Sequence, residues 1–309
     1  MNRPARIPRR PLHGVLLLDK PLGLSSNTAL QQVRKLLRAD KAGHTGTLDP
    51  LATGLLPLCF GAATKFSQIS LDADKTYLAE LHLGRRTDSG DAEGQVLSER
   101  EVRLDEAQIA AACARFVGTI DQTPPMHSAL KRDGKPLYEY ARAGIELIRV
   151  PRRITIHHLL VKLWQGHTLQ IEVRCSKGTY IRTLADDLGE VLGCGAHLSG
   201  LRRIQCGALT LEHATTLDEL VTMDEARRDT LLLPADALVA DWPQVRLDET
   251  EAGRFLTGLR RRVALPDARA VRVYGPQARA FLGSGHVAAG ELIADRLLSP
   301  LEVQALAAV

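Results

Sequence analysis

Residues 43 to 54 read Gly43-His44-Thr45-Gly46-Thr47-Leu48-Asp49-Pro50-Leu51-Ala52-Thr53-Gly54. This stretch sets one carboxylate, that of Asp49, in a loop of small and conformationally special residues. Gly43, Gly46 and Gly54 can adopt positive φ and let another backbone or a ligand approach, and Pro50 disfavours a helical conformation at Asp49. The loop is therefore a candidate site for a functional carboxylate. A plain turn, in which Asp49 hydrogen-bonds its own backbone, explains the same residues.

The segments before this loop have regular hydrophobic patterns. Residues 15 to 18 are all apolar and are followed by Asp19, and residues 15 to 19 predict a buried strand. Ser26 is expected to cap a following helix, because Leu30, Val33 and Leu37 then fall on one face. The loop with Asp49 should therefore follow a strand and a helix.

Two later segments predict strands with one buried face. Residues 77 to 83 and 169 to 175 alternate apolar and polar side chains, which is the period of a strand. A helix is expected to open at Gly178 and to run to about Leu192, where Gly193 ends it. Arg182 should then lie in the first turn of this helix.

Further motifs accompany the loop in a fixed order. They are Asp19-Lys20-Pro21-Leu22-Gly23-Leu24-Ser25-Ser26, Lys75-Thr76-Tyr77, Gly84-Arg85-Arg86-Thr87-Asp88-Ser89-Gly90-Asp91, Gln122-Thr123-Pro124-Pro125 followed by Ser128-Ala129-Leu130-Lys131 and Leu137-Tyr138-Glu139-Tyr140-Ala141-Arg142, and Cys175-Ser176-Lys177-Gly178-Thr179-Tyr180-Ile181-Arg182-Thr183-Leu184. Together with the loop they resemble the TruB family of pseudouridine synthases from about residue 14 to residue 205. One position departs from the family, because His127 stands where an aromatic residue is expected.

The resemblance implies three catalytic residues. Asp49 corresponds to the nucleophile, Arg182 to a cation that pairs with it, and Tyr77 to an aromatic residue that packs on the base and assists the final proton transfer from C5. It also implies substrate contacts at His44, Leu201, Lys20, Lys65, Asp91, Lys131, Arg142 and Tyr180. Without the family, Tyr77 is an ordinary core residue, Arg182 an ordinary helix residue, and Lys20 part of a rigid turn.

The function that the resemblance implies is isomerisation of uridine 55 in the T loop of tRNA to pseudouridine. The enzyme would flip the uridine out of its stack and attack it with the carboxylate of Asp49. The reaction leaves the atomic composition of the nucleotide unchanged, and it requires no metal or other cofactor. Two alternatives remain: a non-catalytic RNA-binding or tRNA-folding protein, and a guide-RNA-dependent pseudouridine synthase.

Charge and composition predict the domain organisation. The chain has 309 residues and a formal net charge of +4, and residues 126 to 153 contain seven Lys or Arg and three acids, which suits a polyanion. We expect a flexible basic arm at 1–12, an α+β catalytic domain at 13–240, and a small β-barrel of short strands at 247–309. The resemblance implies that this barrel is a PUA-like RNA-binding domain. It also implies that the catalytic domain holds a mixed, mostly antiparallel sheet flanked by helices, with a thumb-like insertion at about 123–153.

The cysteines and the lengths of the apolar runs indicate the cellular compartment. The five cysteines lack C-x-x-C spacing, so we expect buried thiols in a reducing environment rather than a disulfide framework or a metal site. No apolar run has the length of a membrane span. The sequence therefore predicts a cytoplasmic, monomeric protein without an obligatory protein partner.

Overall fold

The structure is a computed structural model, and it describes residues 8–128, 130–277 and 280–307. In chain order its first elements are β1 (Gly14–Lys20), α1 (Ser26–Leu36), β2 (Ala42–His44), β3 (Ala52–Phe60), α2 (Ser67–Asp72), β4 (Lys75–Leu83), β5 (Arg85–Thr87), β6 (Val96–Glu99), α3 (Glu106–Ala114) and β7 (Gly118–Gln122). The next are β8 (Lys131–Arg132), β9 (Lys135–Pro136), α4 (Leu137–Arg142), β10 (Arg152–Gln165), β11 (Thr168–Cys175), α5 (Ile181–Val191), β12 (Ala196–Cys206), β13 (Leu209–Thr210) and β14 (Thr215–Thr216). The last are α6 (Leu217–Thr222), α7 (Glu225–Asp229), β15 (Gln244–Arg246), α8 (Glu249–Leu256), β16 (Arg261–Arg262), β17 (Ala268–Tyr274), β18 (Phe281–Ala288), β19 (Glu291–Leu297) and α9 (Pro300–Ala307).

The chain divides into two compact units that alternate along the sequence. The first unit comprises Met1–Pro50, Leu55–Leu71 and Ala208–Val309, and the second comprises Leu51–Gly54 and Asp72–Gly207. The predicted functional domains, by contrast, follow one another along the chain, and their boundaries stay a prediction.

The second unit is built on a mostly antiparallel sheet. Its strands follow the order β12, β4, β11, β10 and β7, and every neighbouring pair in this run is antiparallel. The first residues of β3 join β12 in parallel, where Gly54 lies opposite Arg203. Gly54 has φ of +95°, and a Cβ there would lie 2.3 Å from the carbonyl oxygen of Arg203, so only glycine fits. The predicted α+β class with a mixed, mostly antiparallel sheet is confirmed.

The predicted periodicities of this sheet are also confirmed. On β4 the side chains of Tyr77, Ala79 and Leu81 are buried, whereas Leu78 between them is exposed. Alternate residues of β11 are buried in the same way. The helix α5 begins at Ile181 rather than at Gly178, because Gly178 still has positive φ and forms part of the turn.

The first unit contains β1, which is parallel to β14, and β2, which is antiparallel to the second part of β3. Its helix α1 begins at Ser26, one residue earlier than the sequence predicts, so the expected cap is wrong. Ser25 is the capping residue, and its hydroxyl accepts a hydrogen bond from the Thr28 N–H at 3.0 Å. Ser26 is buried and faces the loop that contains Asp49.

The C-terminal part of the first unit forms a curled five-stranded sheet with the order β15, β17, β18, β19 and β16. Phe255 of α8 is fully buried in its core together with Val273 and Leu292. This curled sheet is a half-barrel, which agrees with the expected PUA-like fold. The sequence pattern missed the short strand β15 and the helices α8 and α9.

Two further sequence predictions concern the cysteines and the N-terminal arm. All five cysteines are free and buried, as predicted. Residues 1–7 of the arm lie outside the described residues. Near its described end Arg10 donates two hydrogen bonds to the carboxylate of Asp229 at 2.7 and 2.8 Å. The expected flexibility of the arm stays a prediction.

Candidate functional site

The loop with Asp49 connects β2 to β3, and backbone contacts fix it at several points. The Thr45 N–H donates to the Pro57 carbonyl at 3.1 Å, where the loop leaves β2. Further along, the hydroxyl of Ser26 contacts both backbone groups of Leu48, and the Gly23 N–H donates to the carbonyl of Pro50 at 2.8 Å. Asp49 itself is exposed. The loop therefore presents a carboxylate at the surface from a fixed backbone.

The glycines of this loop differ in their conformation. Gly46 and Gly54 have positive φ, of +106° and +95°, so these two positions use the freedom that the sequence offers. Gly43 instead lies in β2, opposite Cys59 of β3. His44 follows as the last residue of β2, is half-buried, and lies opposite Leu58.

The side chain of Lys20 is fully buried at the end of β1. Its ammonium donates to the carbonyls of Pro21 at 2.9 Å and Leu24 at 2.6 Å, which fixes the turn before α1. These contacts support the structural role that the sequence suggested for Lys20, and a substrate contact at Lys20 stays a prediction.

Lys65 is a second predicted RNA-binding lysine with contacts inside the protein. It lies in the 3-10 helix Gly61–Phe66, and its ammonium contacts Glu302 at 2.6 Å and the Leu297 carbonyl at 2.9 Å. The lysine thus links this helix to the C-terminal sheet and to α9. Its expected contact with RNA stays a prediction.

Arg182 is the second residue of α5 and lies almost entirely inside the second unit. Its guanidinium pairs with Asp91 at 3.3 Å, and the side chains of the two residues are only 9% and 6% exposed. It also donates to the backbone carbonyl of His127 at 2.6 Å. His127, where the resemblance leads us to expect an aromatic residue, thus binds Arg182 through its backbone. Asp49 belongs to the first unit and Arg182 to the second, so their pairing stays a prediction.

Asp91 is surrounded by donors besides Arg182. The hydroxyl of Ser89 donates to its carboxylate at 2.6 Å, and the N–H of Glu93 donates at 3.1 Å. The backbone carbonyl of Asp91 accepts a further bond from Thr87. Asp91 therefore holds the loop around it together, and a direct contact between Asp91 and RNA stays a prediction.

Tyr77 lies opposite Arg203 in the antiparallel pair of β4 and β12. Burial raises the pKa of Tyr77 to about 12, against a smaller lowering by the charge of Arg203 and by a hydrogen bond from its side chain. A guanidinium can only donate, so the phenol oxygen accepts and its proton can point elsewhere. Leu201 lies two residues before Arg203 on β12, opposite Ala79.

The backbone of Tyr180 is clamped immediately before α5 begins. The side-chain amide of Gln122 accepts from the Tyr180 N–H at 2.8 Å and donates to the Tyr180 carbonyl at 3.0 Å. Gln122 is itself buried. This clamp fixes the backbone two residues before Arg182.

The predicted thumb-like insertion contains a hairpin, β8 to β9, and the short helix α4. Lys131 is exposed on β8, and the guanidinium of Arg142 lies 5.4 Å from the centre of the Tyr138 ring. Arg149 donates instead to the Pro124 carbonyl, which fixes the base of the insertion.

Across residues 8–128, 130–277 and 280–307, no group of three His, Cys, Asp or Glu side chains is arranged to hold a metal ion. Within the same residues, no helix has the length and apolar character needed to cross a membrane.

Three protein-family models match successive parts of the chain. They are the TruB family pseudouridylate synthase N-terminal domain at residues 34–181, the tRNA pseudouridylate synthase B C-terminal domain at 182–240, and the pseudouridine synthase II TruB C-terminal domain at 243–298. The first of these contains Asp49, Tyr77 and Asp91. The fold and these three successive matches define a pseudouridine synthase, which is an isomerase.

Individual relatives extend the match to nearly the whole chain. A tRNA pseudouridine synthase B of Cupriavidus pinatubonensis is 57% identical over 96% of this chain and 98% of its own. One of Ralstonia pickettii is 61% identical over 88% of each chain. A solved Cbf5–Nop10–Gar1 complex contains a chain that is 25% identical, with a TM-score of 0.71 over 94% of this chain and 86% of that one. The chain belongs to the TruB family of pseudouridylate synthases.

Sequence reasoning assigned no functional role to three buried polar residues, one of which, Ser26, it took only for a helix cap. Ser26, Gln122 and Arg203 are each at most 3% exposed. Arg203 could have been noticed from the sequence, because an arginine among the apolar residues of a buried strand needs a partner. The contacts of Ser26 and Gln122 join positions far apart in the chain, so only the structure reveals them.

Proposed function

We propose that this protein converts uridine 55 in the T loop of tRNA to pseudouridine, with Asp49 as its nucleophilic carboxylate. The observation that supports the proposal most directly is the exposed Asp49 in a loop whose backbone is fixed on both sides, within a chain of the TruB family. A protein that only bound or folded tRNA would have no need of such a carboxylate.

The reaction breaks the bond from ribose C1′ to N1 and forms a bond from C1′ to C5 of the same base. N1 gains a proton and C5 loses one, so the composition does not change. The carboxylate of Asp49 attacks C6 or C1′, or stabilises the electron-poor sugar as the base departs. All of these routes need the uridine outside its stack, which the enzyme achieves by flipping it into a pocket.

Other predicted residues have roles that follow from their side chains. The guanidinium of Arg182 balances the negative charge of Asp49 and orients it. Tyr77 packs on the flipped base, where its neutral phenol can donate a hydrogen bond, and Leu201 adds apolar contact. His44 and Tyr180 contact the substrate, with His44 filling the space that the flipped base leaves in the T loop.

The exposed cations of the insertion, among them Lys131 and Arg142, bind the phosphates of the T arm. A protein with its own basic insertion needs no guide RNA to hold its substrate, which favours the stand-alone enzyme over a guide-dependent relative. We also propose that it acts as a monomer in the cytoplasm, without an obligatory protein partner.

The test is release of the C5 hydrogen from tRNA that carries tritium at C5 of uridine, with purified protein as the only catalyst. The parent should release it and yield pseudouridine at position 55. Asp49→Asn keeps the size of the side chain but removes its charge, so it should bind tRNA and form no product in a single turnover. Asp88→Asn, an exposed acid in another matching segment, is the matched control and should retain activity. Product from Asp49→Asn, free of host enzyme and of deamidation back to Asp, would remove Asp49 as the nucleophile.

A further inference from the structure

The hydroxyl of Ser26 makes two hydrogen bonds to one residue of the loop that contains Asp49. It accepts a bond from the Leu48 N–H at 2.7 Å and donates one to the Leu48 carbonyl oxygen at 3.0 Å. Both residues are buried, and Ser26 is only 1% exposed. Water is therefore poorly placed to replace either bond.

A second contact fixes the other side of Asp49. The N–H of Gly23 donates to the carbonyl oxygen of Pro50 at 2.8 Å, and Gly23 has φ of +82°. The turn that contains Gly23 is itself held by the buried ammonium of Lys20. The residues immediately before and after Asp49 are thus both bound to one segment, residues 20–26.

Only a hydroxyl can make both bonds of Ser26 in so small a space. Serine and threonine oxygens donate and accept at the same time, whereas alanine does neither and a thiol does both weakly. The adjacent Ser25 has a different task, because its hydroxyl caps α1 through Thr28. Of the two neighbouring serines, Ser25 therefore stabilises the helix α1 and Ser26 stabilises the loop.

We propose that Ser26 is a positioning residue for the reaction, which holds the backbone of Leu48 so that the carboxylate of Asp49 meets the flipped uridine in a reactive geometry. This inference rests on the proposed role of Asp49. Loss of the hydroxyl lets the loop shift to satisfy the Leu48 N–H and carbonyl elsewhere. A displacement of about 1 Å in a reacting group can lower a rate about 100-fold.

The test compares Ser26→Ala with Ser25→Ala in single-turnover reactions with tRNA and excess enzyme. Ser26→Ala should lower the maximal rate at least about tenfold, while the enzyme concentration at half-maximal rate changes by less than about threefold. Ser25→Ala loses the helix cap and some stability, yet its rate should stay within about threefold of the parent. Amide exchange at Leu48 should accelerate in Ser26→Ala and not in Ser25→Ala.

Ser26→Cys provides a graded version of the same test, because its thiol is a weak donor and a weak acceptor on a slightly larger side chain. Its rate should fall between those of the parent and Ser26→Ala, and it replaces Ser26→Ala if that variant does not fold. A parental rate in a folded Ser26 variant whose Leu48 amide exchanges faster would overturn the proposal. An equal loss of rate in Ser25→Ala, or a loss explained by weaker tRNA binding, would overturn it as well.

Asp49→Asn, assayed in parallel, separates this inference from the proposed function. If Asp49→Asn is inactive and the Ser26 variants match the parent, only the positioning role of Ser26 is wrong. If Asp49→Asn forms pseudouridine, the role of Asp49 as nucleophile is wrong, and the inference that depends on it falls too.

Discussion

At Tyr77, burial and the neighbouring Arg203 determine the protonation state of the side chain. Burial raises the pKa of Tyr77 to about 12, and the cationic side chain of Arg203 is its hydrogen-bond partner. Below this pKa the side chain is a neutral phenol, which can donate a hydrogen bond but is a poor base. Tyr77 should therefore assist the reaction in its protonated form.

The pH profile of the chemical step tests this role. If the phenolate of Tyr77 were the base, its fraction and the rate would both rise about tenfold per pH unit well below the pKa. We expect instead no such rise in the single-turnover rate between about pH 8 and pH 10. Tyrosinate absorbance is measured as the pH rises, in the parent and in Tyr77→Phe. The two curves should not differ below about pH 11, because Tyr77 forms no tyrosinate there. A tenfold rise per unit that disappears in Tyr77→Phe would contradict the neutral role.

Arg182 combines a structural and a predicted catalytic task, and the two can be separated. Arg182→Lys keeps the charge but lacks the planar fork, so it should retain partial activity, and Arg182→Met should lose far more. Arg182→Met also leaves the buried carboxylate of Asp91 without this partner, which should cost about 3–5 kcal/mol of stability.

A second substitution distinguishes these two effects. Asp91→Asn added to Arg182→Met removes the uncompensated charge, so the double variant should recover part of the lost thermal stability. It should recover none of the single-turnover rate, because the cation for Asp49 is still missing. Recovery of rate together with stability would show that Arg182 acts only through the fold.

At the scale of elements, the side-chain amide of Gln122 fixes the backbone at Tyr180, the residue before the helix α5. Gln122→Glu keeps the acceptor for the Tyr180 N–H but replaces the donor to the Tyr180 carbonyl, whereas Gln122→Ala removes both. We expect the single-turnover rate to fall in the order parent, Gln122→Glu, Gln122→Ala, because Arg182 follows two residues later. Gln170→Ala, which loses a bond to Glu80 elsewhere in the sheet, is the control and should keep the parental rate. Equal rates in all four proteins would contradict this role of Gln122.

The elements that sequence predicted well are those whose pattern is decided by burial alone. β4 and β11 alternate because one face of each strand packs into the core, and this period of two is visible in the sequence. The cap of α1 was placed on the wrong serine, because Ser25 and Ser26 are equally capable caps and only the position of Leu48 distinguishes them. The short strand β15 has no local pattern, since its partner β17 lies more than twenty residues away.

At the scale of the whole molecule, the division into two units could not be read from the sequence. Residues 51–54 belong to one unit and the residues on either side belong to the other, because β3 changes partners along its length. The C-terminal sheet is likewise part of the first unit, where Phe281 packs on Phe66 with ring centres 5.2 Å apart. Deleting this sheet would therefore expose core residues of the first unit, so charge substitutions test RNA binding more cleanly than truncation does.

The net charge of the molecule is concentrated in the insertion. Residues 126 to 153 carry a net charge of +4, which equals that of the entire chain, so the rest of the protein is balanced. Arg132 and Arg149 donate to backbone carbonyls within this region and contribute to its shape. Lys131, Lys135 and Arg152 are exposed and remain the best candidates for phosphate contacts.

Replacing Lys131, Lys135 and Arg152 together with alanine should weaken tRNA binding without slowing the single-turnover rate at saturation. Each lost phosphate contact should reduce the slope of log affinity against log salt by about 0.7 to 0.9, so three contacts should reduce it by about 2 to 3. The matched control replaces Lys35, Arg103 and Arg115, which are exposed cations outside the insertion. Both triple variants lose the same charge. An equal change in their salt slopes would therefore mean that tRNA binding depends only on the net charge of the protein and that the insertion has no special role.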